Sequence, residues 1–167
     1  MDVFEAIRTL LAERAFQARP VPAASLQRIL EAGRLTGSSM NGQPWHFVVV
    51  QEPGTLRELG ARLRSGPYVA QAPLAIVVAI EATRYAVSDA SRAIQSMLLT
   101  AWSEGLGSNW VGFGGLESVH ALLEVPAGME VFAVLPIGYP AAERRGGHKR
   151  RKALGEIVHR ERWGRPW

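Results

Sequence analysis

The residues best suited to chemistry lie in a short polar stretch, residues 37–45 (Gly-Ser-Ser-Met-Asn-Gly-Gln-Pro-Trp). Small hydroxyl and amide side chains are concentrated there beside backbone amides, directly before a predicted buried strand. A planar polar heterocycle needs donors and acceptors at fixed positions along its edge, and this stretch could supply them. A capped turn at the end of a helix explains the same residues. On the residues alone, both interpretations stay open.

Two further stretches could contact a ligand. Residues 110–115 (Trp-Val-Gly-Phe-Gly-Gly) contain glycines that let the backbone approach a ligand closely, although a loose turn after a strand is the alternative. Arg144, Arg145 and residues 149–152 (Lys-Arg-Arg-Lys) form a basic run. This run could hold one phosphate, bind nucleic acid or be a solvated connection. The aromatic residues that single-strand binders place between their cations are missing here.

The net charge of +4 is unevenly distributed. Residues 141–167 hold nine of the 19 Lys and Arg and three of the 15 Asp and Glu, so that residues 1–140 carry ten basic and twelve acidic side chains. The positive charge is therefore a property of the C-terminal part, where it can meet a phosphate, a polyanion or a membrane surface. The slightly acidic body opposes binding to a polyanion.

Several common kinds of site are missing from the sequence. There is no cysteine, which excludes disulfides, thiolate metal ligands and thiol nucleophiles and agrees with a reducing cytoplasm. Residues 105–110 lack the third glycine of the dinucleotide fingerprint and follow a predicted helix instead of a strand. No Gly-x-Ser-x-Gly elbow occurs. The histidines show no paired metal-ligand spacing: His46, His120, His148 and His159.

These absences predict a soluble intracellular protein without a metal site, and they give no positive sign of a hydrolytic triad. The longest apolar stretch, residues 74–80, is too short to cross a bilayer as a helix. The N-terminus has no basic start followed by an apolar run, as a secretory signal would. Neither a repeat nor a long linker occurs, so residues 1–167 are predicted to form one domain.

Hydrophobic periodicity predicts the elements that must position the polar stretches. The predicted helices cover residues 2–12, a segment that begins at about 23, a segment from Pro53 to about 63, 84–104, and 116–123. Gly33, in the second of these helices, is predicted to allow a close approach by a neighbouring element. The predicted strands cover 46–51, 74–80, 109–113 and 131–139, with a bulge or an edge at Pro136. This order predicts an α/β arrangement of two or three layers around about four strands, and it leaves the strand directions open.

Short motifs along nearly the whole chain, in this order, resemble the nitroreductase family of flavoproteins. Residues 38–47 (Ser-Ser-Met-Asn-Gly-Gln-Pro-Trp-His-Phe) are similar to its most diagnostic pattern, S-S-x-N-x-Q-P-W-x-F. The other matching pieces are Ala6-Ile7-Arg8-Thr9, Arg14-Ala15-Phe16, Asp89 with Gln95, Gly105-Leu106-Gly107-Ser108, Leu135-Pro136-Ile137-Gly138-Tyr139-Pro140, and the segment from Lys149 to Trp163.

The resemblance implies an α+β fold, with a largely antiparallel sheet of four to five strands flanked by helices, in an obligate homodimer that binds FMN at its interface. It implies an FMN-dependent oxidoreductase that moves electrons by ping-pong hydride transfer from NAD(P)H to a small acceptor, such as a nitroaromatic compound or a quinone. Together with the residues, the resemblance predicts a cytoplasmic enzyme in which no side chain acts as nucleophile or general base, with no nucleic-acid or membrane partner.

The resemblance also implies a role for individual residues. The FMN phosphate is expected to be bound by Arg14, Lys149 and Arg151. The serine-rich loop is expected to line the isoalloxazine ring and the ribityl chain with Ser38, Ser39 and Asn41. Backbone is expected to lie beside the reactive N5 edge at Gly112 and Phe113.

The chain departs from this family pattern at Leu10, Leu11 and Ala12, where Arg-Arg-Ser is usual. A charged hydrogen bond contributes ~1.5–3 kcal/mol, so one lost contact would weaken binding roughly ten- to a hundredfold. The C-terminal basic run could compensate. The alternatives are a flavin-binding or regulatory module with reduced catalysis, and a protein that uses another flavin or a deazaflavin.

Overall fold

The computed structural model describes residues 1–142 and 149–167, so Arg144, Arg145 and His148 of the sequence analysis lie outside the described residues. The helices are α1 (Val3–Thr9), α2 (Ala23–Arg34), α3 (Pro53–Arg62), α4 (Ala86–Ser103) and α5 (Leu116–Leu122). The strands are β1 (Trp45–Val50), β2 (Leu74–Glu81), β3 (Gly107–Ser108) and β4 (Met129–Gly138). Single 3-10 turns cover Ser39–Asn41, Pro67–Gln71 and Leu154–Glu156.

The four strands form one sheet in the order β1-β2-β4-β3, and each neighbouring pair is antiparallel. In the centre of the sheet, Val77 pairs with Val48 on one side and with Val134 on the other. The strand directions that the sequence left open are therefore settled, and the α+β fold implied by the resemblance is confirmed.

The core lies on both faces of the sheet because side chains alternate between the faces along each strand. Ile76 and Val78 of β2 belong to the apolar cluster that includes Ile29 of α2 and most of the buried apolar residues of α4. Val77, between them, belongs to a second cluster with residues of α3 and α5. Burial on both faces explains why β2 reads as a continuous apolar run in the sequence.

The predicted strand over 109–113 is wrong, because regular pairing in this part of the chain is limited to the two residues of β3 and one isolated bridge between Val111 and Val134. The N–H of Val134 donates to the carbonyl of Val111 (2.9 Å). Because every second residue of a strand points its N–H to the same neighbour, the nitrogen of Pro136 also faces the segment that contains Val111. Proline has no N–H to donate, and the ladder is interrupted there.

The sheet accommodates Pro136 without the predicted edge or local bulge. β4 is an inner strand, and the register shift between β2 and β4 falls between Val78 and Ala79 instead. Asn109 bonds to its surroundings with its side chain, which accepts from the N–H of Trp110 (2.8 Å) and donates to the hydroxyl of Tyr68 (2.6 Å).

Helix α1 is shorter than predicted and ends at Thr9. Its start is as expected, because the Asp2 carboxylate accepts from the N–H of Glu5 (2.8 Å). Beyond α1, Ala12 forms a parallel bridge with Ser108, and the N–H of Glu13 donates to the Ser108 carbonyl (2.9 Å). Pairing with β3 therefore draws the chain out of the helix.

Gly33 is a point of close contact between α2 and α4, as predicted. A Cβ atom at Gly33 would lie 2.8 Å from the sulfur of Met97 and 2.9 Å from the ring of Phe47. Overpacking of such a contact costs ~1–3 kcal/mol, so Gly33→Val should lower the free energy of unfolding by about that amount, measured by urea denaturation. Gly37→Val, where a Cβ meets nothing within 4 Å, is the control, and an equal loss there would contradict this explanation.

Candidate functional site

The serine-rich loop is attached to the first turn of α4 by a buried carboxylate. Asp89, only 1% exposed, accepts hydrogen bonds from the N–H of Ser39 (3.0 Å) and from its hydroxyl (2.9 Å). The same carboxylate pairs with Arg92, one turn further along α4. Thr36 donates to the hydroxyl of Ser96 (2.9 Å), which adds a second attachment. Because Asp89, Arg92 and Ser96 follow helical spacing, the start of the loop lies along one stripe of α4.

The charge of Asp89 is maintained by its partners. Burial acts to raise the pKa of the carboxyl group, but the two bonds from Ser39 and the bond and charge of Arg92 outweigh it, and the net pKa is lowered. Asp89 is therefore ionised at neutral pH. A charged acceptor holds the N–H and the hydroxyl of Ser39 more firmly than a neutral one would.

The loop backbone is strained. Met40, Asn41 and Gln43 have φ values of 54°, 55° and 48°, in the left-handed region. Such conformations cost of order 1–3 kcal/mol for a residue other than glycine, and surrounding bonds must maintain them. Two of those bonds are internal: the hydroxyl of Ser38 accepts from the N–H of Gln43 (2.9 Å), and the Gln43 side chain donates to Asn41 (3.2 Å). The loop is thus a fixed, partly exposed arrangement of polar groups.

Lys149 and Arg151, far apart in sequence from α1, meet it at a cleft of about 570 Å³. Lys149 Nζ donates to the carbonyl oxygen of Ile7 (2.5 Å), one of the last carbonyls of α1. Among residues 1–142 and 149–167, the lining comprises Ile7, Arg8, Leu10, Gln95, Lys149 and Arg151, of which three are cationic and none is acidic. This composition suits an anion, and it fits the phosphate end of a ligand such as FMN.

The surroundings of Lys149 disfavour its positive charge. Burial lowers the pKa of its amino group, and the nearby guanidinium groups of Arg151 and Arg8 lower it further. An anion in the cleft would offset this repulsion, because it would lie among three groups of like charge.

Arg14 is not among the residues that line this cleft. It follows the bridge between Ala12 and Ser108, and its side chain is exposed. Within residues 1–142 and 149–167 it forms no hydrogen bond or ion pair. The structure therefore brings Lys149 and Arg151 together with Arg8, and leaves Arg14 outside the lining of the cleft.

Gly112 and Phe113 line a different cavity, of about 580 Å³, whose wall also includes Glu117 and His120. Ser65 donates to the carbonyl oxygen of Phe113 (2.5 Å), which fixes this backbone to the loop after α3. The Phe113 side chain is 81% exposed. The N–H groups of this segment and an exposed aromatic ring are thus held on a fixed backbone.

The turn after this segment requires glycine at residue 115. Gly115 has a φ of 95°, and a Cβ there would lie 2.0 Å from the carbonyl oxygen of Arg62. The His120 ring is bonded as well, with Nε2 3.2 Å from the carbonyl oxygens of both Pro126 and Met129. His120 therefore has a structural partner on its Nε2 side.

Across residues 1–142 and 149–167, no three His, Asp or Glu side chains come close enough together to hold a metal ion. In the same ranges, no helix has the length and apolar character needed to cross a membrane.

Comparison with known proteins identifies the family. The model of the nitroreductase family matches residues 11–79 and 61–139, which together span most of the chain. The chain belongs to the nitroreductase family. A relative from Methanothermobacter thermautotrophicus, provisionally named NADH dehydrogenase/NAD(P)H nitroreductase, is 37% identical over 150 residues, which cover 84% of this chain and 78% of the relative.

Solved structures with names from this family have the same fold. A provisionally named NADH dehydrogenase/NAD(P)H nitroreductase from Bacteroides thetaiotaomicron superimposes with a TM-score of 0.89 at 27% identity, covering 96% of this chain and 98% of that one. An FMN-dependent nitroreductase from Clostridium difficile R20291 gives a TM-score of 0.86 at 25% identity, covering 96% and 99%. Both of these chains are similar to this protein over nearly their whole length.

Three residues without a predicted role also lie at the candidate site: Arg8, Asp89 and Gln95. Asp89 and Gln95 were noticed as matching the family, but nothing local in the sequence connects Asp89 to Ser39, 50 positions away. Arg8 was also part of a matching motif. The available signal was its position just before Leu10, where an expected arginine is missing.

Proposed function

We propose that this nitroreductase is an FMN-dependent NAD(P)H oxidoreductase whose 167 residues form one flavin-binding domain and act as a homodimer. When bound, FMN supplies the redox chemistry, taking hydride from NAD(P)H and passing electrons to a small acceptor, such as a nitroaromatic compound or a quinone, in a ping-pong cycle. The chain itself binds and orients the cofactor. The observation that carries the proposal is the cationic cleft between α1 and Lys149, found in a member of this family.

The phosphate is assigned to this cleft. Lys149 is fixed by its bond to Ile7, and Arg151 lines the same cavity, so both cations are in position before a ligand arrives. Arg151 offers a planar group that can bond two phosphate oxygens, while Lys149 contributes a compact charge. Arg14 stays a predicted phosphate contact from the family pattern.

The ring and the ribityl chain are assigned to the serine-rich loop. Ser38, Ser39 and Asn41 lie on backbone held by Asp89 and by the internal bonds of the loop. Because these groups are fixed in advance, little conformational entropy is lost when a planar heterocycle binds. Gly112 and Phe113 are proposed to place backbone N–H groups near the reactive edge of the ring.

A homodimer is supported by exposed apolar side chains at the two ends of the chain. Phe4 of α1 is 74% exposed and Trp163 is 90% exposed. Other large apolar residues on these two segments are also exposed: Met1, Val3, Ile7, Leu154, Ile157 and Trp167. Exposed apolar groups at this density favour burial against another protein surface, and a second copy of the chain is the occupant that we propose.

Steady-state kinetics test the proposed reaction. Purified protein loaded with FMN should oxidise NADH or NADPH with a nitroaromatic compound or a quinone as acceptor, over many turnovers. Double-reciprocal plots at several acceptor concentrations should be parallel, as a ping-pong cycle requires. Converging lines would contradict the ping-pong cycle. Tight FMN binding without turnover on any such acceptor would instead favour the flavin-binding or regulatory module.

A further inference from the structure

The α1 side of the cleft lacks the contacts that the family pattern provides. Leu10 lines the cleft, but its side chain has no hydrogen-bond donor. Ala12 pairs with Ser108 through its backbone and likewise offers no side-chain donor. Arg8 is the residue of α1 that does bring donors to this cleft.

Arg8 is already oriented, and it has donors left over. Its Nε and Nη2 donate to the two oxygens of Glu5, at 2.9 and 2.8 Å, so one face of the guanidinium is held by its own helix. A guanidinium carries five N–H donors, and this pair uses two. The remaining donors can reach a second anion without breaking the pair, and the side chain, 61% exposed, is accessible.

Arg8 also has an electrostatic effect on the other cations of the cleft. Its charge, like that of Arg151, disfavours protonation of Lys149. Three cations that repel one another around one cavity form a stronger anion site than Lys149 and Arg151 alone. Glu5 offsets part of the charge of Arg8 and is therefore expected to weaken this site.

We infer that Arg8 is a phosphate-binding residue of this nitroreductase, which serves in place of the contacts missing at Leu10, Leu11 and Ala12 and favours FMN over flavins without a phosphate. This inference rests on the proposed function. Its basis is the meeting of Arg8, Lys149 and Arg151 at one cleft, to which the described part of the chain contributes no acidic lining residue.

Binding measurements on the full chain test this role. Arg8→Gln should weaken FMN binding about ten- to a hundredfold, the equivalent of one charged hydrogen bond, measured by quenching of flavin fluorescence on titration. Riboflavin has no phosphate, so its dissociation constant should stay within about twofold of the wild-type value. The ratio of the two affinities reports on the phosphate contact separately from the ring contacts.

Two control variants separate this role from others. Arg57→Gln removes one exposed positive charge from α3 and tests the effect of net charge alone. Like Arg8→Gln, Glu5→Gln breaks the ion pair between Glu5 and Arg8, but it keeps the guanidinium group of Arg8 in the cleft. Both variants should bind FMN at least as tightly as the wild type. Equal losses of FMN and riboflavin affinity in Glu5→Gln would show that the pair acts through the stability of α1 and would overturn the assignment, whereas a loss confined to FMN would show that Glu5 orients Arg8 towards the phosphate.

The results distinguish this inference from the proposed function. If the wild type binds FMN and Arg8→Gln binds it equally well, the inference is wrong and the proposed function stands. A loss confined to Arg14→Gln would give the third phosphate contact to Arg14 and would also overturn the inference. If the wild type binds neither FMN nor riboflavin, the proposed function fails and the inference fails with it.

Discussion

Replacing Lys149 and Arg151 together with alanine is expected to weaken FMN binding at least about a hundredfold, because two charged hydrogen bonds of ~1.5–3 kcal/mol each would be lost. Both side chains line the cleft beside α1. The loss should be confined to flavins that carry a phosphate, so riboflavin binding should change by no more than a few fold. Isothermal titration calorimetry of both ligands provides the measurement.

The neighbouring cations provide the control for this double variant. Arg150 and Lys152 are exposed, and neither lines the cleft, so Arg150→Ala with Lys152→Ala removes the same charge from the same segment. This control should retain wild-type affinity for FMN. Equal losses in the two double variants would mean that the segment acts only through its net charge, and the assignment of the cleft would then be wrong.

Asp89→Asn is expected to weaken FMN binding about tenfold, the effect of one weakened hydrogen-bond contact. The substitution keeps the shape of the side chain and removes its charge, so the bonds to Ser39 become neutral and the ion pair with Arg92 is lost. The strained loop would then be held less firmly. In contrast to the double variant in the cleft, riboflavin and FMN should be affected alike, because the loop is assigned to the ring.

A matched control exists on α2. Glu31 and Arg34 form an ion pair with the same spacing as Asp89 and Arg92, but on the exposed surface. Glu31→Gln should leave the affinity for both flavins unchanged. If Asp89→Asn also binds both flavins normally, Asp89 does not position the loop for binding.

The stability that Asp89 contributes should depend on pH in a defined direction. The pKa of its carboxyl group is lower in the folded protein than the ordinary value of about 3.9. Its contribution is therefore complete above about pH 4 and is lost as the pH falls through the lowered value. The difference in unfolding free energy between wild type and Asp89→Asn should be constant from about pH 8 to 5 and should shrink below about pH 4. Thermal unfolding followed by circular dichroism measures it, and a difference that grows towards low pH would contradict the lowered pKa.

Local signals in the sequence were sufficient for most of the elements. The apolar run of β2 predicts that strand to within one residue at each end, and the amphipathic pattern of α2 predicts its start at residue 23. The fold class was obtained from family resemblance, because periodicity does not reveal strand direction. The strand predicted at 109–113 failed for a long-range reason: the partner of that segment contains Pro136, which cannot complete the ladder.

The individual residues of the candidate site could be predicted from the sequence, but the contacts that bring them together could not. The serine-rich loop is a local motif, whereas its anchor, Asp89, lies 50 residues away. The contact between Lys149 and Ile7 joins residues 142 positions apart, and this contact is what brings Arg8 to the basic segment. No short-range pattern encodes such a meeting. The residues were therefore recognisable individually, and the cleft required the fold.

Titration of FMN into the wild-type protein, combined with analytical ultracentrifugation, tests the central claim most directly. The proposed function predicts quenching of flavin fluorescence to an end point of one FMN per chain, in a particle of about 36 kDa, twice the chain mass of 18.2 kDa. The yellow absorbance of the complex should bleach when NADH or NADPH is added without air. A colourless particle of 18.2 kDa that leaves the fluorescence of added FMN unchanged would contradict it.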